Sequence, residues 1–592
     1  MPRFAASFAV AAAATAVLAG ALAAAPAPAD AFRALVDREW QWRLREDPLF
    51  ATAVGEHDYD DRLPSAAADD QERHDRETRQ FLAELDAIPR AELAARERVD
   101  YDIFRNQLQE RIDSFRFNEW WVPLNADSGF HSDFAQLPEN VPLQTVADYD
   151  HYLARLTAFP RYMQEQIAAL RAGLQHGVTV PRVTLKGVET SIQPHVVQDA
   201  TKSVFWAPFA HFPPAFTAAD RERLAEAGRR AILEGVAPAY ASFLEFMTKE
   251  YVPGSRETLA ATALPDGAAY YRFLIRRFTT LDLDPEAIHQ IGLREVERLS
   301  AEMDTVMKQT GFTGDRAAFL TFLRTDPRFY AKSPQALLEH AAWIAKSMDG
   351  KLPALFGKLP RTPYTVEPVP DHLAPKYTSG RYVAPPFGGT QPGIYWVNTY
   401  ALESRPLYNL EALTFHEAVP GHHLQGALAQ EQTDLASFRR FSYISAFGEG
   451  WGLYSEWLGL EAGFYTDPYS NFGRLTYAMW RACRLVVDTG IHAKGWTRQQ
   501  AIDYMASHTA LPLHEVETET DRYISWPAQA LSYKLGELKI RELRKRAEDA
   551  LGAGFDVRAF HDRVLRDGSV PLPVLEASID EWIAERKSTA AK

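Results

Sequence analysis

Along most of the chain, apolar residues recur every three or four positions with charges between them. That is the spacing of helices that bury one face. It predicts helices over residues 32–54, 70–115, 145–175, 217–250, 284–308 and 333–350. Gly and Pro punctuate their ends, as in Pro138-Glu139-Asn140-Val141-Pro142 and Phe212-Pro213-Pro214. The period changes between Leu359 and Thr399, where Pro and Gly crowd the chain. There Tyr364-Thr365-Val366, Arg381-Tyr382-Val383 and Ile394-Tyr395-Trp396-Val397 read as short strands joined by turns. Helical spacing returns at Pro406 and continues, with interruptions, to about Arg586. The expected fold is mainly α, a single large helical domain over residues 32–592 with a small sheet at about 359–399.

The first residues do not fit that pattern. Arg3 is followed by a charge-free, Ala-, Val- and Leu-rich stretch from Phe4 to Ala29, and then by Ala29-Asp30-Ala31. A basic start, an apolar run and an A-x-A site are the marks of a secretory signal peptide, expected over residues 1–31. No Cys lies there, so a lipid anchor on an N-terminal Cys is not expected. No later apolar run approaches the ~18 residues of a membrane span, so a soluble exported protein, periplasmic or extracellular, is expected after cleavage. The net charge of −14 argues against a nucleic-acid partner, which would need a basic footprint. Cys483 is the only cysteine. It rules out an internal disulfide and Cys-rich zinc sites, so any metal must be held by His and carboxylates.

The densest chemistry lies in Phe415-His416-Glu417-Ala418-Val419-Pro420-Gly421-His422-His423-Leu424-Gln425. Zinc peptidases commonly carry H-E-x-x-H, in which histidines one turn apart chelate zinc and the Glu is the general base. Here His416 and His422 are six residues apart, and six steps of ~100° would point them away from each other on a regular helix. Pro420 lacks an N–H and its ring clashes with the His416 carbonyl, so a kink at Pro420-Gly421 is expected to swing His422 back. His423 competes for the same role: it shares a face with His416, but ~10.5 Å farther along the axis, which strains a shared metal. It is otherwise a substrate-facing or supporting group.

A third ligand is sought downstream, in Ser445-Ala446-Phe447-Gly448-Glu449-Gly450-Trp451-Gly452-Leu453-Tyr454-Ser455-Glu456-Trp457. The three glycines permit a close approach to the His helix. Glu449 and Glu456, seven apart, share one face of an otherwise apolar helix, where an unpaired carboxylate is costly. Ligation by Glu449, with Glu456 hydrogen-bonded to a ligand histidine, answers that cost; structural salt bridges are the alternative.

The pattern H-E-x-x-x-G-H-H followed by E-G-W-x-L-Y-x-E resembles the bacterial domain-of-unknown-function family numbered 885. Gly55-Glu56-His57-Asp58-Tyr59-Asp60-Asp61-Arg62-Leu63-Pro64 resembles its opening and Pro527-Ala528-Gln529-Ala530-Leu531-Ser532-Tyr533-Lys534 its closing motif. More distantly the site is similar to helical gluzincin peptidases such as thimet oligopeptidase and the carboxypeptidase Taq group. Those use H-E-x-G-H with a Glu from a later helix. That likeness implies His422 as the second histidine, although this chain has two extra residues between the Glu and the Gly. It also implies a strand along the cleft, for which Gly393-Ile394-Tyr395-Trp396-Val397-Asn398 is the candidate edge strand; an ordinary buried strand is the equal alternative.

Together these residues point to a zinc hydrolase with metal-site helices at about 406–462, a deep cleft and the small sheet beside the active-site helix. His416, His422 and Glu449 hold one Zn²⁺ per chain, and Glu417 is the general base. Tyr533 is the candidate oxyanion donor, with Gln529 beside it on a helix expected to begin near Pro527. Tyr523 and His514 are weaker candidates. Arg481, Arg484, Asp488 and His492 form a stripe on one helix face, read as a buried ion ladder. Alternatively an Arg there, or Arg522, binds a substrate carboxylate. Cys483 reads as a packed thiol. The expected substrate is a short peptide, cut by an oligopeptidase or carboxypeptidase. The alternatives are a zinc hydrolase of other amides or esters and a catalytically silent peptide- or metal-binding protein of the periplasm.

Overall fold

The computed structural model describes residues 27–371, 373–388 and 391–590. Most of the expected signal segment lies outside these, but Ala29-Asp30-Ala31 forms the first turn of helix α1 (Pro28–Glu46). The protein is mainly helical, with one three-stranded sheet among the described residues.

Several predicted helices are present but divided, each at a residue that explains the break. Residues 32–54 split at Asp47, whose side chain accepts from Phe50 N and caps a short helix opened by Pro48. Residues 70–115 become α2 (Ala68–Asp86) and α3 (Ala95–Arg116), with Pro89 between them. Helix α4 (Val146–His176) is continuous through Pro160. The next run extends to Gly254 and widens into π-turns at Ala231–Val236 and Met247–Tyr251. Each π-turn lies just ahead of a proline, Pro238 or Pro253, whose ring cannot sit against the carbonyl four residues back. Helices α5 (Pro285–Gln309) and α6 (Pro334–Asp349) match their predictions within a residue or two.

The three predicted strands are β1 (Tyr364–Pro368), β2 (Gly380–Val383) and β3 (Gly393–Val397). Their order is β1-β3-β2, with β3 parallel to β1 and antiparallel to β2. This decides between the two readings of the segment Gly393–Asn398, cleft edge or buried strand. Strand β3 is the centre of the sheet, its residues almost all buried, and β2 is the edge that faces the cleft. Ser379 O accepts from Asn398 N, so alternate residues of β2, Gly380 and Tyr382, turn their backbone groups away from β3.

The C-terminal block builds the site from α7 (Leu410–Glu417), α8 (His422–Glu431), α9 (Ser445–Leu458), α10 (Pro468–Lys494), α11 (Leu513–Ser525) and α12 (Leu531–Leu551). Helix α10 is the axis. Asp467 caps it, Pro468 opens it, and Gly495 in a left-handed conformation closes it. It is buried almost throughout and packs along α5, while α9 packs along α12. Leu475, Leu485, Val486 and Val487 are fully buried on α10, each worth about 1.5–3 kcal/mol.

Two large apolar cores result. One, rich in Phe and Tyr, is centred on α4 and the π-turned run; the other surrounds α9, α10 and the C-terminal helices. A cleft of about 1590 Å³ is lined from both sides, from Trp42 and Tyr162 to His416 and Tyr533.

Candidate metal centre

Helix α7 carries His416 and Glu417 in its last turn and stops at Ala418 (φ −91°, ψ −110°). The chain turns through Val419-Pro420, which is cis, and α8 starts afresh at His422. Trp451 on α9 donates its indole N–H to Pro420 O at 2.8 Å and holds the turn in place. Gly421 is needed for space, not for an unusual φ, which is −76°. A Cβ there would lie 1.9 Å from His416 O. The break sets the His416 and His422 rings 4.7 Å apart at 89°.

The nearest ligand atoms of His416, Glu417 and His422 lie within 4.8 Å of one another. Glu449 closes on the same point, its Oε2 3.4 Å from Nε2 of each histidine. Helix α9 comes this close at Gly452, where a Cβ would meet the His416 ring at 2.7–2.9 Å. The other two glycines serve different neighbours: Gly448 makes room for the Tyr443 ring and Gly450 for α12 at Gly536.

Glu456 does what its spacing from Glu449 predicts. His416 Nδ1 donates to its Oε1 at 2.8 Å, which leaves Nε2 to face Glu449. Arg481 Nη2 lies 3.0 Å from the same Oε1. Burial would strip the proton from His416, but hydrogen bonds to Glu449 and Glu456 outweigh it and lift its pKa to about 10. Burial would likewise raise Glu449, yet the charge of His422 and hydrogen bonds from both histidines hold it well below the usual carboxylate range. Both shifts come from the same histidine–carboxylate contacts. Three buried carboxylates, Glu417, Glu449 and Glu456, face one buried cation, Arg481. With neutral histidines the centre carries two surplus negative charges, and a divalent cation fits both that surplus and the His–His–Glu donor set.

His423 is turned away. Its Nδ1 lies 3.1 Å from Tyr382 Oη, its ring stands 4.6 Å from Tyr364, and burial takes its pKa down to about 4. His422, not His423, is brought to His416. Glu417 Oε2 accepts from Tyr382 N, on the free edge of β2, at 2.8 Å.

Tyr533 stacks on His416 with ring centroids 6.1 Å apart, and Arg522 Nη2 donates to its hydroxyl at 3.2 Å. Gln529 Oε1 accepts from the same Nη2 at 2.7 Å. Gln529 is not on the helix, as expected from Pro527; Ala528 has φ +67° and α12 begins only at Leu531. Tyr523 is structural, its hydroxyl accepting from Trp480 and Arg484, and His514 is exposed outside the cleft. The predicted ladder on α10 is buried but not internal. Arg481 pairs with α9 and Arg484 with Glu519 of α11. Asp488 accepts from Tyr271 Oη and Ala528 N, and His492 bonds Ala261 N and Tyr523 O. Cys483 is buried and burial raises its thiol.

Two residues escaped the sequence reading. Tyr443, before α9, donates to Glu449 Oε1 at 2.7 Å; the glycine at 448 that accommodates its ring was the available signal. Arg381 on β2 reaches the cleft from a segment read only as a strand.

Among solved structures, a putative lipoprotein from Colwellia psychrerythraea is 29% identical with a TM-score of 0.88, over 95% of this chain and 100% of that one. A putative lipoprotein of unknown function from Shewanella oneidensis is 19% identical with a TM-score of 0.67, over 93% and 99% of the respective chains, and shares the fold. A Pyrococcus furiosus carboxypeptidase aligns at 10% identity over 87% and 97%, but its TM-score of 0.31 is below what a shared fold requires. No curated protein matches the sequence. A single family model spans residues 48–579, and the chain therefore belongs to the family described as bacterial protein of unknown function DUF885.

Proposed function

We propose that this protein is an exported zinc-dependent peptidase that hydrolyses short peptides in its cleft. The observation that carries the reading is the convergence of His416 Nε2, His422 Nε2 and Glu449 Oε2 beside Glu417, in a pocket with two negative charges to spare. His416, His422 and Glu449 would hold the ion, with Glu456 fixing His416 and Tyr443 fixing Glu449. Zinc in such a set supplies Lewis-acid polarisation of a carbonyl and acidifies water to a pKa near ~7.

The remaining steps belong to the chain's own groups. Glu417, one oxygen anchored on Tyr382 N–H, accepts the proton of the attacking water and returns it to the leaving nitrogen. The Tyr533 hydroxyl accepts from Arg522, so its own proton is free to donate to the oxyanion. The outward-facing backbone of Gly380 and the carbonyl of Tyr382 offer an extended substrate an edge to pair with. Export rests on the charge-free segment from Phe4 to Ala29, and among the described residues no helix is long and apolar enough to cross a membrane.

The test is metal content by mass spectrometry after a chelator wash and zinc add-back, followed by digestion of a peptide mixture alongside ester and non-peptide amide substrates. We expect about one zinc per chain in the wild type, lost in His416→Ala and Glu449→Ala, and cleavage of peptides. Folded wild type that takes up no metal sinks the reading; metal uptake with cleavage of esters alone moves it to the other hydrolase class.

A further inference from the structure

Beside the histidine–carboxylate centre the cleft has a wall of arginines. Arg381 from β2, Arg484 from α10 and Arg522 from α11 all line it. The Arg484 guanidinium lies 4.2 Å over the Tyr533 ring, and that of Arg522 lies 6.0 Å from the same ring. Two carboxylates answer them. Glu519 is shared, 2.8 Å from Arg484 and 3.3 Å from Arg522, and Asp127 stands 3.7 Å from Arg381. A third carboxylate, Asp133, lines the same cleft and interacts with Arg381, so three guanidiniums and three carboxylates make up this wall.

Donors are left over. Arg522 Nε and Arg484 Nη1 are buried and, among the described residues, have no hydrogen-bond partner. The other nitrogens of the two guanidiniums are engaged, Arg484 with Glu519 and Arg522 with Gln529 and Tyr533, and this fixes both planes at the wall. Arg484 is sandwiched between Trp480 and Tyr533 and supports the wall from behind. Arg381 and Arg522, with side chains 43% and 11% exposed, are the two that reach into the cleft. Each also repels the other's charge, a cost that an anion between them would remove.

We propose that Arg381 and Arg522, with Tyr533, form a subsite for a carboxylate group of the substrate, so that the peptidase acts near a free chain terminus or an acidic side chain. This rests on the peptidase reading above. Tyr533 links the two places, with its ring centroid 6.1 Å from that of His416 and 6.0 Å from the Arg522 guanidinium carbon. Two steps of that size are covered by three or four extended residues at about 3.3–3.6 Å each, so the carboxylate lies within a few residues of the scissile bond.

The experiment uses the zinc-loaded full chain and peptides of one sequence ending in either a free carboxylate or a carboxamide, with and without Asp or Glu near the end. Products are read by mass spectrometry. We expect kcat/KM at least about tenfold higher for carboxylate-bearing peptides, chiefly through KM, as for a charge-assisted bidentate contact. Arg381→Gln should remove most of that preference and Arg381→Lys should restore part of it; Arg381 is chosen because its exposure makes it safe for folding. Preference for free acids assigns the subsite to the chain terminus, and preference for acidic amides assigns it to a side chain. Equal cleavage of neutral amides and acids overturns the subsite while leaving the peptidase intact. If no peptide is cut, the peptidase reading fails by itself, and calorimetry with N-acetylglycine against N-acetylglycinamide decides the subsite. Binding of the acid alone, lost in Arg381→Gln, upholds it; binding of neither or both overturns it.

Discussion

Tyr533 neighbours two groups of different electrostatic character. Around His416, the carboxylates of Glu417, Glu449 and Glu456 gather with Arg481; around Arg484 and Arg522, with Arg381, guanidiniums gather about Glu519 and Asp127. The first is assembled from two short segments, residues 416–422 and 449–456, and the second from single residues on β2, α10 and α11. Surplus negative charge with lone pairs converging on a point suits a small divalent cation. Guanidinium planes held at a cleft wall suit a planar anion. One cleft thus holds complementary sites a few ångströms apart, an arrangement suited to holding one group of a substrate while another reacts.

The sharpest way to break that division of labour is to remove the proton acceptor and keep everything else. Glu417→Gln preserves an oxygen for Tyr382 N–H but cannot take a proton. Turnover should fall by roughly 10²–10⁴-fold, with zinc content unchanged, as measured by kcat and by metal analysis on one preparation. Undiminished turnover would mean that Glu417 only braces β2.

Glu456→Gln probes the support beneath the centre. His416 Nδ1–H would lose a charged acceptor, and Arg481 its counter-ion. Zinc affinity, read by chelator competition, should drop about 10–100-fold. The arginine wall lies across Tyr533 and should keep its preference for carboxylates at saturating zinc. Loss of that preference as well would show the two sides to be one coupled unit.

The same contrast decides what could be read from the sequence. Helix α10 was legible from the spacing of Arg481, Arg484, Asp488 and His492 along one face, and the strands from β-branched and aromatic runs between Pro and Gly. His416, Glu417, His422, Glu449 and Glu456 were legible because motif spacing and the cost of burying carboxylates constrain them locally. The direction of the turn at Pro420-Gly421 was legible only as a break; that it frees His422 and sends His423 to the sheet depends on packing against Trp451. The place of Gly393–Val397 in the sheet could be read either way; with the more apolar sequence it is central and leaves the edge to β2. The arginine wall was half seen. Arg484 and Arg522 drew notice singly, but their meeting with Arg381 depends on tertiary contacts with no sequence period.

The smallest effect concerns the far end of the arginine helix, where the comparison can be sharpened by pH. Asp488, one turn beyond Arg484, has no cation against it; it accepts only from Tyr271 Oη and Ala528 N. Burial outweighs those bonds and pushes its pKa from 3.8 to about 7. A carboxyl whose folded pKa is raised binds more protons folded than unfolded across that window. Stability from this group is therefore greatest below pH 4 and declines as pH rises towards 7, by at most about 1.4 kcal/mol per pH unit. Asp488→Asn keeps the neutral shape and cannot ionise, so its melting temperature should fall less than that of the wild type between pH 5 and 7. Parallel profiles would mean that Asp488 is already ionised at pH 5. The positive charge of Arg484, one turn away, would then reach Asp488 in a way that the hydrogen bonds alone do not reveal.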